Sequence, residues 1–324
     1  MILVSRQLFL SLILVLISCQ PNLSTNIIRG YTQGTTYTIK YNCNDNNIQT
    51  QAIDSLLSNV DYSMSSYIDS SLISLINKNH TVALDSLITR VLIRSIEICH
   101  ETNGMFDVTV APMVSYWGFG PNKTYNRNNQ KASSYSEIVG CDKIILNNNM
   151  LFKSDSVSID LNGIAQGFTV DYLSEYLVSK GVNDFMIEVG GEVRCFGSNL
   201  GRGWKIGIDA PTESKHDFAF ILNLTNTSLA TSGSYRNYYY SDSKKISHTI
   251  NPKTLMPASN SLLSATVLYD DCMSADAYAT ACMSFGVEDA KLFLKNNNIA
   301  GCLIYLDGLD TVPYLTPSFS SFLH

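Results

Sequence analysis

Residues 165–199 read "AQGFTVDYLSEYLVSKGVNDFMIEVGGEVRCFGSN". The first half, Ala165 to Gly181, is patterned as a helix with glycine as its C-terminal stop. The second half is a strand, a Gly190-Gly191 break and another strand. Two strands in succession after a helix depart from strict strand–helix alternation. The spacing therefore predicts an α+β fold rather than a doubly wound parallel sheet.

The flanking segments keep that irregular order. Downstream, strands are expected at 204–208, 218–224 and 262–269, then a helix over 275–285 and a short helix in "VEDAKLFLKNNN". "AGCLIYLD" and "TVPYLT" close the chain as strands. Upstream, "TTYTIKYNC" (35–43) alternates as a strand. "NIQTQAIDSLLSNVD" places Ile48, Ala52, Leu56 and Val60 at helical spacing. A second amphipathic helix starts near Asp85 and stops near Gly104. Residues 137–163 read as a turn and two or three strands. No linker divides residues 27–324, so they form a single compact unit of mixed sheets and flanking helices, with room for two lobes.

The chain has 324 residues, 45% hydrophobic and 15% charged, enough for a substantial core. A net charge of −6 gives no electrostatic case for nucleic acid. No internal repeat is visible. The N-terminus, "MILVSRQLFLSLILVLISCQ", carries Arg6 and an apolar run from Leu8 to Ile17, the pattern of a secretory signal. Leu16-Ile17-Ser18-Cys19 resembles the lipobox of bacterial lipoproteins, in which Cys19 is diacylated and becomes the mature N-terminus. The expected layout is a signal peptide at 1–18, a lipidated tether at 19–26 and a folded unit at 27–324. That unit is expected on the extracytoplasmic, periplasmic side of the bacterial envelope. Seven further cysteines include no C-x-x-C pair, so zinc is not indicated. An oxidising compartment permits a disulfide, but buried free thiols are the default expectation.

Several segments put acids, hydroxyls and glycines where a packed core has no use for them. In "CMSADAYATACMSFG" (272–286), Asp276 and Thr280 share one helix face. They read either as an acid near the helix dipole with a back-bonded threonine, or as two oxygen ligands of a hard metal. "GMFDVTVAPMVSYWGFG" (104–120) places Asp107 and Thr109 in a hydrophobic, strand-like run before an aromatic glycine loop. Asp107 also fits a turn or cap acid. In "IDLNGIAQGF" (159–168), Asp160 follows a strand and Asn162-Gly163 turns into a helix start. Gly190 and Gly191 let backbone approach a ligand closely, or form a bulge. His248, ahead of an Asn-Pro turn, is a candidate base. Ser232 invites a hydrolase reading, but G-x-S-x-G is absent.

Taken in order, eight blocks resemble the FAD:protein FMN transferase family, also called ApbE. They are "QGTTYTIKY", "MSSYIDSSLISLIN", "GMFDVTVAPMVSYWGFG", "IDLNGIAQGFTVDYL", "EVGGEVRCFG", "LATSGSYRNYY", "SHTINPKTLMPA" and "SADAYATACMSFG". The resemblance implies Mg²⁺ bound by Asp276, Thr280 and the Gly163 carbonyl. It implies flavin contacts at Tyr67, Met105, Phe106, Asp107, Asp160 and near Ile250. Gln33 and Gln166 stand in that cofactor set where the family often has Met and Lys, and neutral Gln166 brings no charge to a phosphate. The implied reaction is Mg²⁺-dependent transfer of FMN from FAD to a Thr or Ser hydroxyl of a target flavoprotein, releasing AMP. His248 is the expected base, Asp276 its competitor, and Arg236 a phosphate contact. The implied acceptor is a flavin-carrying subunit of a membrane redox complex. Two other activities share these motifs: an FAD pyrophosphatase giving FMN and AMP, and a non-enzymatic FAD-binding lipoprotein.

Overall fold

A computed structural model of the chain describes residues 24–43, 48–121, 134–211, 217–234, 238–241 and 244–324. Cys19, Arg236, the expected signal peptide and most of the tether lie outside these residues. The chain enters through a hairpin of β1 (Ser24–Thr32) and β2 (Thr35–Cys43). Gln33 and Gly34 form its two-residue turn, both with positive φ (51° and 75°), as primed hairpin turns require. Helices α1 (Thr50–Met64), α2 (Leu72–Asn77) and α3 (Ser86–Glu101) follow. The buried stripe of α1 is Ile53, Leu57, Val60 and Met64. It sits one position beyond the expected Ala52 and Leu56, which are half-buried, while Ile48 precedes the helix. Asp85 caps α3 by accepting from the Leu87 and Ile88 amides, both at 2.9 Å.

The strand-like reading of 104–120 is corrected. Asp107 caps a 3-10 turn at Val108–Val110, which runs into α4 (Ala111–Tyr116) with proline in its first turn. β-branched residues there suggested a strand, but the cap and the proline start a helix. Between 137 and 163 one hairpin forms, β3 (Ile144–Asn147) with β4 (Met150–Lys153). Next come α5 (Ala165–Ser179), β5 (Phe185–Val189) and β6 (Glu192–Phe196), the helix and paired strands read from residues 165–199. The hairpin β7 (Trp204–Asp209) and β8 (Phe218–Leu224) precedes β9 (Thr227–Gly233). Short strands β10 (Tyr238–Ser241), β11 (Lys244–Ser247), β12 (Ile250–Asn251) and β13 (Met256–Pro257) lead to β14 (Leu262–Tyr269). Helices α6 (Cys272–Phe285) and α7 (Val287–Asn296), strands β15 (Ala300–Asp307) and β16 (Asp310–Leu315), and α8 (Pro317–Ser320) complete the chain.

Eight strands form one sheet in the order β1-β2-β5-β6-β9-β14-β15-β16, each neighbouring pair antiparallel. Period-two alternation sorts its side chains. Ala230, Val267 and Leu303 pack into the core that contains α3, α6 and α7. Their neighbours Leu229, Leu268 and Cys302 pack into a core with the β7–β8 hairpin and Phe319. The fold is α+β, with the main helices on one sheet face. No helix among the described residues is long and apolar enough to cross a membrane.

The default of buried free thiols holds for Cys195, Cys272, Cys282 and Cys302, whereas Cys43 is half-buried and one pair is bridged. Cys99, at the end of α3, is bridged to Cys141 across 42 residues of sequence. Spacing could not pair them; the turn at Gly140 brings them together.

Candidate active site

The helices α5 and α6 cross so closely that a Cβ on Gly167 would lie 2.3 Å from the Cys272 carbonyl oxygen. Ile164, at the cap position before α5, gives the helix no side-chain cap. The Gly167 amide, in its first turn, donates to Asp276 Oδ2 of α6 at 3.1 Å. Asp276 thus serves the neighbouring helix start rather than its own. One turn on, Thr280 Oγ1 lies 3.2 Å from Ser232 Oγ of β9. Gly163 presses on Thr280: a Cβ there would come 3.0 Å from Thr280 Oγ1 and 3.4 Å from Phe106. The Asp276 carboxylate and Thr280 hydroxyl of α6, the Ser232 hydroxyl of β9 and the Gly163 backbone therefore converge from three segments.

They converge on a cavity of about 810 Å³, inside the roughly 300–1,000 Å³ range of small-molecule sites. Gln33, Tyr67, Met105, Phe106, Asp107, Asp160, Gly163, Gln166, His248, Ile250, Asp276 and Thr280 all line it. The described residues that the family resemblance marks as ligands or flavin contacts, together with His248, thus share one cavity, whereas Thr109 and Gly191, also singled out from the sequence, do not line it.

Their side chains do different things there. The carboxylate of Asp107 turns inward: Oδ1 accepts from the Thr109 amide and hydroxyl at 2.8 and 2.6 Å, and Oδ2 lies 3.8 Å from the bridged Cys99 sulfur. It caps its own turn, and burial raises its pKa. Asp160 Oδ1 accepts from the Asn162 amide at 2.9 Å and shapes the turn that presents Gly163. Burial raises its pKa too, and the hydrogen bonds from Asn162, then the charge of a protonated His248, oppose the rise. Tyr67, two-thirds exposed at the lip, feels the Asp160 charge, which adds to burial in raising its hydroxyl. His248 packs edge-on against Phe119, with ring centroids 6.3 Å apart. Trp117 Nε1 bonds the Leu255 carbonyl at 3.0 Å and fastens that aromatic loop to the turn after His248. Gln33 Nε2 donates to Thr169 Oγ1 at 2.7 Å. The Gln166 amide lies over Gly190, where a Cβ would meet Nε2 at 2.7 Å, so glycine there makes room for it.

The balance of charge is one-sided. Asp61, Asp107, Asp160, Glu192 and Asp276 line the cavity, and among the described residues no Lys or Arg does. Burial pushes the Asp276 carboxyl up to about 7, with only the Gly167 amide pulling it back. A buried carboxylate without a basic partner calls for a proton or a metal cation. An all-oxygen set of Asp276, Thr280 and the Gly163 carbonyl suits Mg²⁺, so the residues fit the ion. Sequence reasoning missed Asp61 and Ser66 on the same wall. Asp61 is raised by burial, and Ser66 Oγ is buried without a hydrogen-bond partner. Ser66 lies inside "MSSY" (64–67) and Asp61 three residues before it, and only their closeness to Tyr67 could have marked them.

The sequence profile of the ApbE family matches residues 33–304. The chain is 33% identical to the FAD:protein FMN transferase of Vibrio cholerae, over 97% of both chains. It is 33% identical to the FAD:protein FMN transferase of Haemophilus influenzae, over 99% of this chain and 97% of that one. The solved structure of flavin transferase ApbE from Vibrio cholerae superposes with a TM-score of 0.83 at 32% identity, covering 93% of this chain and all of that one. The apo flavinyl transferase ApbE of Pseudomonas stutzeri gives 0.84 at 26% identity, over 93% and 97%.

Proposed function

The chain belongs to the ApbE family, and from that premise we propose that it transfers FMN from FAD to a Thr or Ser hydroxyl of an acceptor protein. The observation that carries this reading is the meeting of separate blocks, from Gln33 to Thr280, on one cavity whose buried acid lacks a basic partner. Asp276, Thr280 and the Gly163 carbonyl would hold Mg²⁺, which when bound offsets the charge of the FAD pyrophosphate. The acidic walls make that offset necessary, since Gln166 supplies none.

In the transfer, the acceptor oxygen forms a bond to the FMN-side phosphorus. The P–O bond to AMP breaks, AMP leaves, and the hydroxyl proton passes to His248. Histidine suits that role because its charge changes near neutral pH. Tyr67 at the lip and Phe106 in the wall offer aromatic faces to a flavin. Asp160 holds the turn that presents Gly163. The protein would be lipid-anchored through Cys19 on the periplasmic side and would act on a flavin-carrying subunit of a membrane redox complex.

The test is incubation of the purified protein with FAD, Mg²⁺ and a Thr-containing acceptor. FMN covalently on the acceptor with one AMP released supports transfer. Free FMN with AMP indicates hydrolysis, and unchanged FAD indicates a carrier. His248→Ala should lose transfer by about 10²–10⁴-fold while still binding FAD. Normal transfer at saturating FAD would remove His248 from the mechanism.

A further inference from the structure

We propose that Asp171 and Arg194, which lie outside the cavity, are positioning residues that set the Asp276 carboxylate for the metal. The inference rests on the reading of Asp276 as a metal ligand. Asp171 lies on α5, one turn after Gly167, and it is buried. Its Oδ1 accepts from the Cys272 amide at 3.0 Å and its Oδ2 from the Met273 amide at 2.8 Å. These are the first two orphan amides of α6; the third, Ser274, is taken by Asp271 at 2.7 Å. One turn further along α6, Asp276 takes the Gly167 amide of α5. Each helix therefore supplies the carboxylate that satisfies the other's N-terminus. The two crossings lie on either side of the Gly167–Cys272 contact, which admits no side chain.

Arg194 ties this pair to the sheet. From β6, its guanidinium reaches Asp171 Oδ1 at 3.0 Å, the Asp270 carbonyl at 2.7 Å and Ser228 Oγ at 3.2 Å. Asp270 immediately precedes the α6 cap. Arg194 thus fixes the start of α6 against β6 and β9, while Asp171 fixes its rotation against α5. Helix rotation decides whether Asp276 and Thr280 meet Gly163, so the brace governs ligand geometry without touching the ligand.

Mn²⁺ can stand in for Mg²⁺, since both take oxygen ligands. Free Mn²⁺ is counted by electron paramagnetic resonance as it is titrated into metal-stripped protein without FAD. Asp171→Asn keeps one acceptor but turns an NH₂ toward amide and guanidinium donors. It should keep native circular dichroism and bind Mn²⁺ about 10–100-fold more weakly, the usual effect of losing an outer-shell partner. Transfer should return toward wild type at saturating metal. Native Mn²⁺ affinity with only a lowered melting temperature would overturn the proposal, because it would make the pair purely structural. Should Asp171→Asn fail to fold, Arg194→Gln is the second variant: several-fold weaker Mn²⁺ binding is expected, and unchanged binding overturns the proposal. Asp276→Asn in the same titration separates the premises. If it too binds Mn²⁺ normally, the metal reading has failed; if it alone loses Mn²⁺, only the positioning role has.

Discussion

Asp276 shows how one residue's burial sets a measurable behaviour. In metal-free protein its carboxyl keeps a proton to about pH 7, whereas in the unfolded chain it ionises near 3.8. Between those values the folded state binds more protons, so the contribution of this carboxyl to stability is fully present below about pH 4 and is lost as pH rises through 7. Asp171, raised by burial to about 6, acts in the same direction. Melting temperatures of chelator-treated protein at pH 5 and pH 8 should therefore drop further in the wild type than in Asp276→Asn. Equal drops would show that the carboxylate is compensated after all. Magnesium should recover stability more strongly at pH 8, because it competes with the proton for the same oxygens. Gln166 makes the complementary case. Gln166→Lys would place a cation over Gly190, and should lower the FAD KM by about fivefold, a partly exposed pairing of about 1 kcal/mol. An unchanged KM would place the phosphates elsewhere.

Among the elements, the α5–α6 crossing and the Cys99–Cys141 bridge are the parts most open to test. Gly167→Ala forces a Cβ into the Cys272 carbonyl. The helices must part, at about 1–3 kcal/mol, and unfolding in denaturant should show it. The bridge spans 42 residues, so its loss in Cys141→Ser should cost about 4 kcal/mol by loop closure. Insensitivity of the unfolding midpoint to reductant would contradict that. Helices and paired strands with clear periodicity were legible from sequence, α5 with β5–β6 above all. The β1 strand was not read, and neither was the helical character of 108–116, where β-branched residues outweighed a cap and a proline. The cavity was legible through its acids and glycines. The brace was not, because Asp171 looks like any polar residue on an amphipathic helix. Its partners are backbone amides a hundred residues away.

At the scale of the whole molecule, cavity residues come from the first hairpin through the sixth helix, so no shorter piece of residues 33–284 carries a whole site. The proposed anchor sits apart from them. Cys19→Ala should leave FMN transfer unchanged and move the protein from membrane to soluble fractions, and persistence in carbonate-washed membranes would refute lipidation there. Among the described residues the main sheet has two outer strands, β1 and β16. Pro313 lies within β16, opposite Ile304. Proline has no amide proton, so its nitrogen must face away from β15, and that margin lacks a donor in mid-strand. The β1 margin carries no proline. A strand from another chain can extend the sheet at β16 only by giving up a backbone bond opposite Pro313, so that margin is blunted against edge-to-edge pairing.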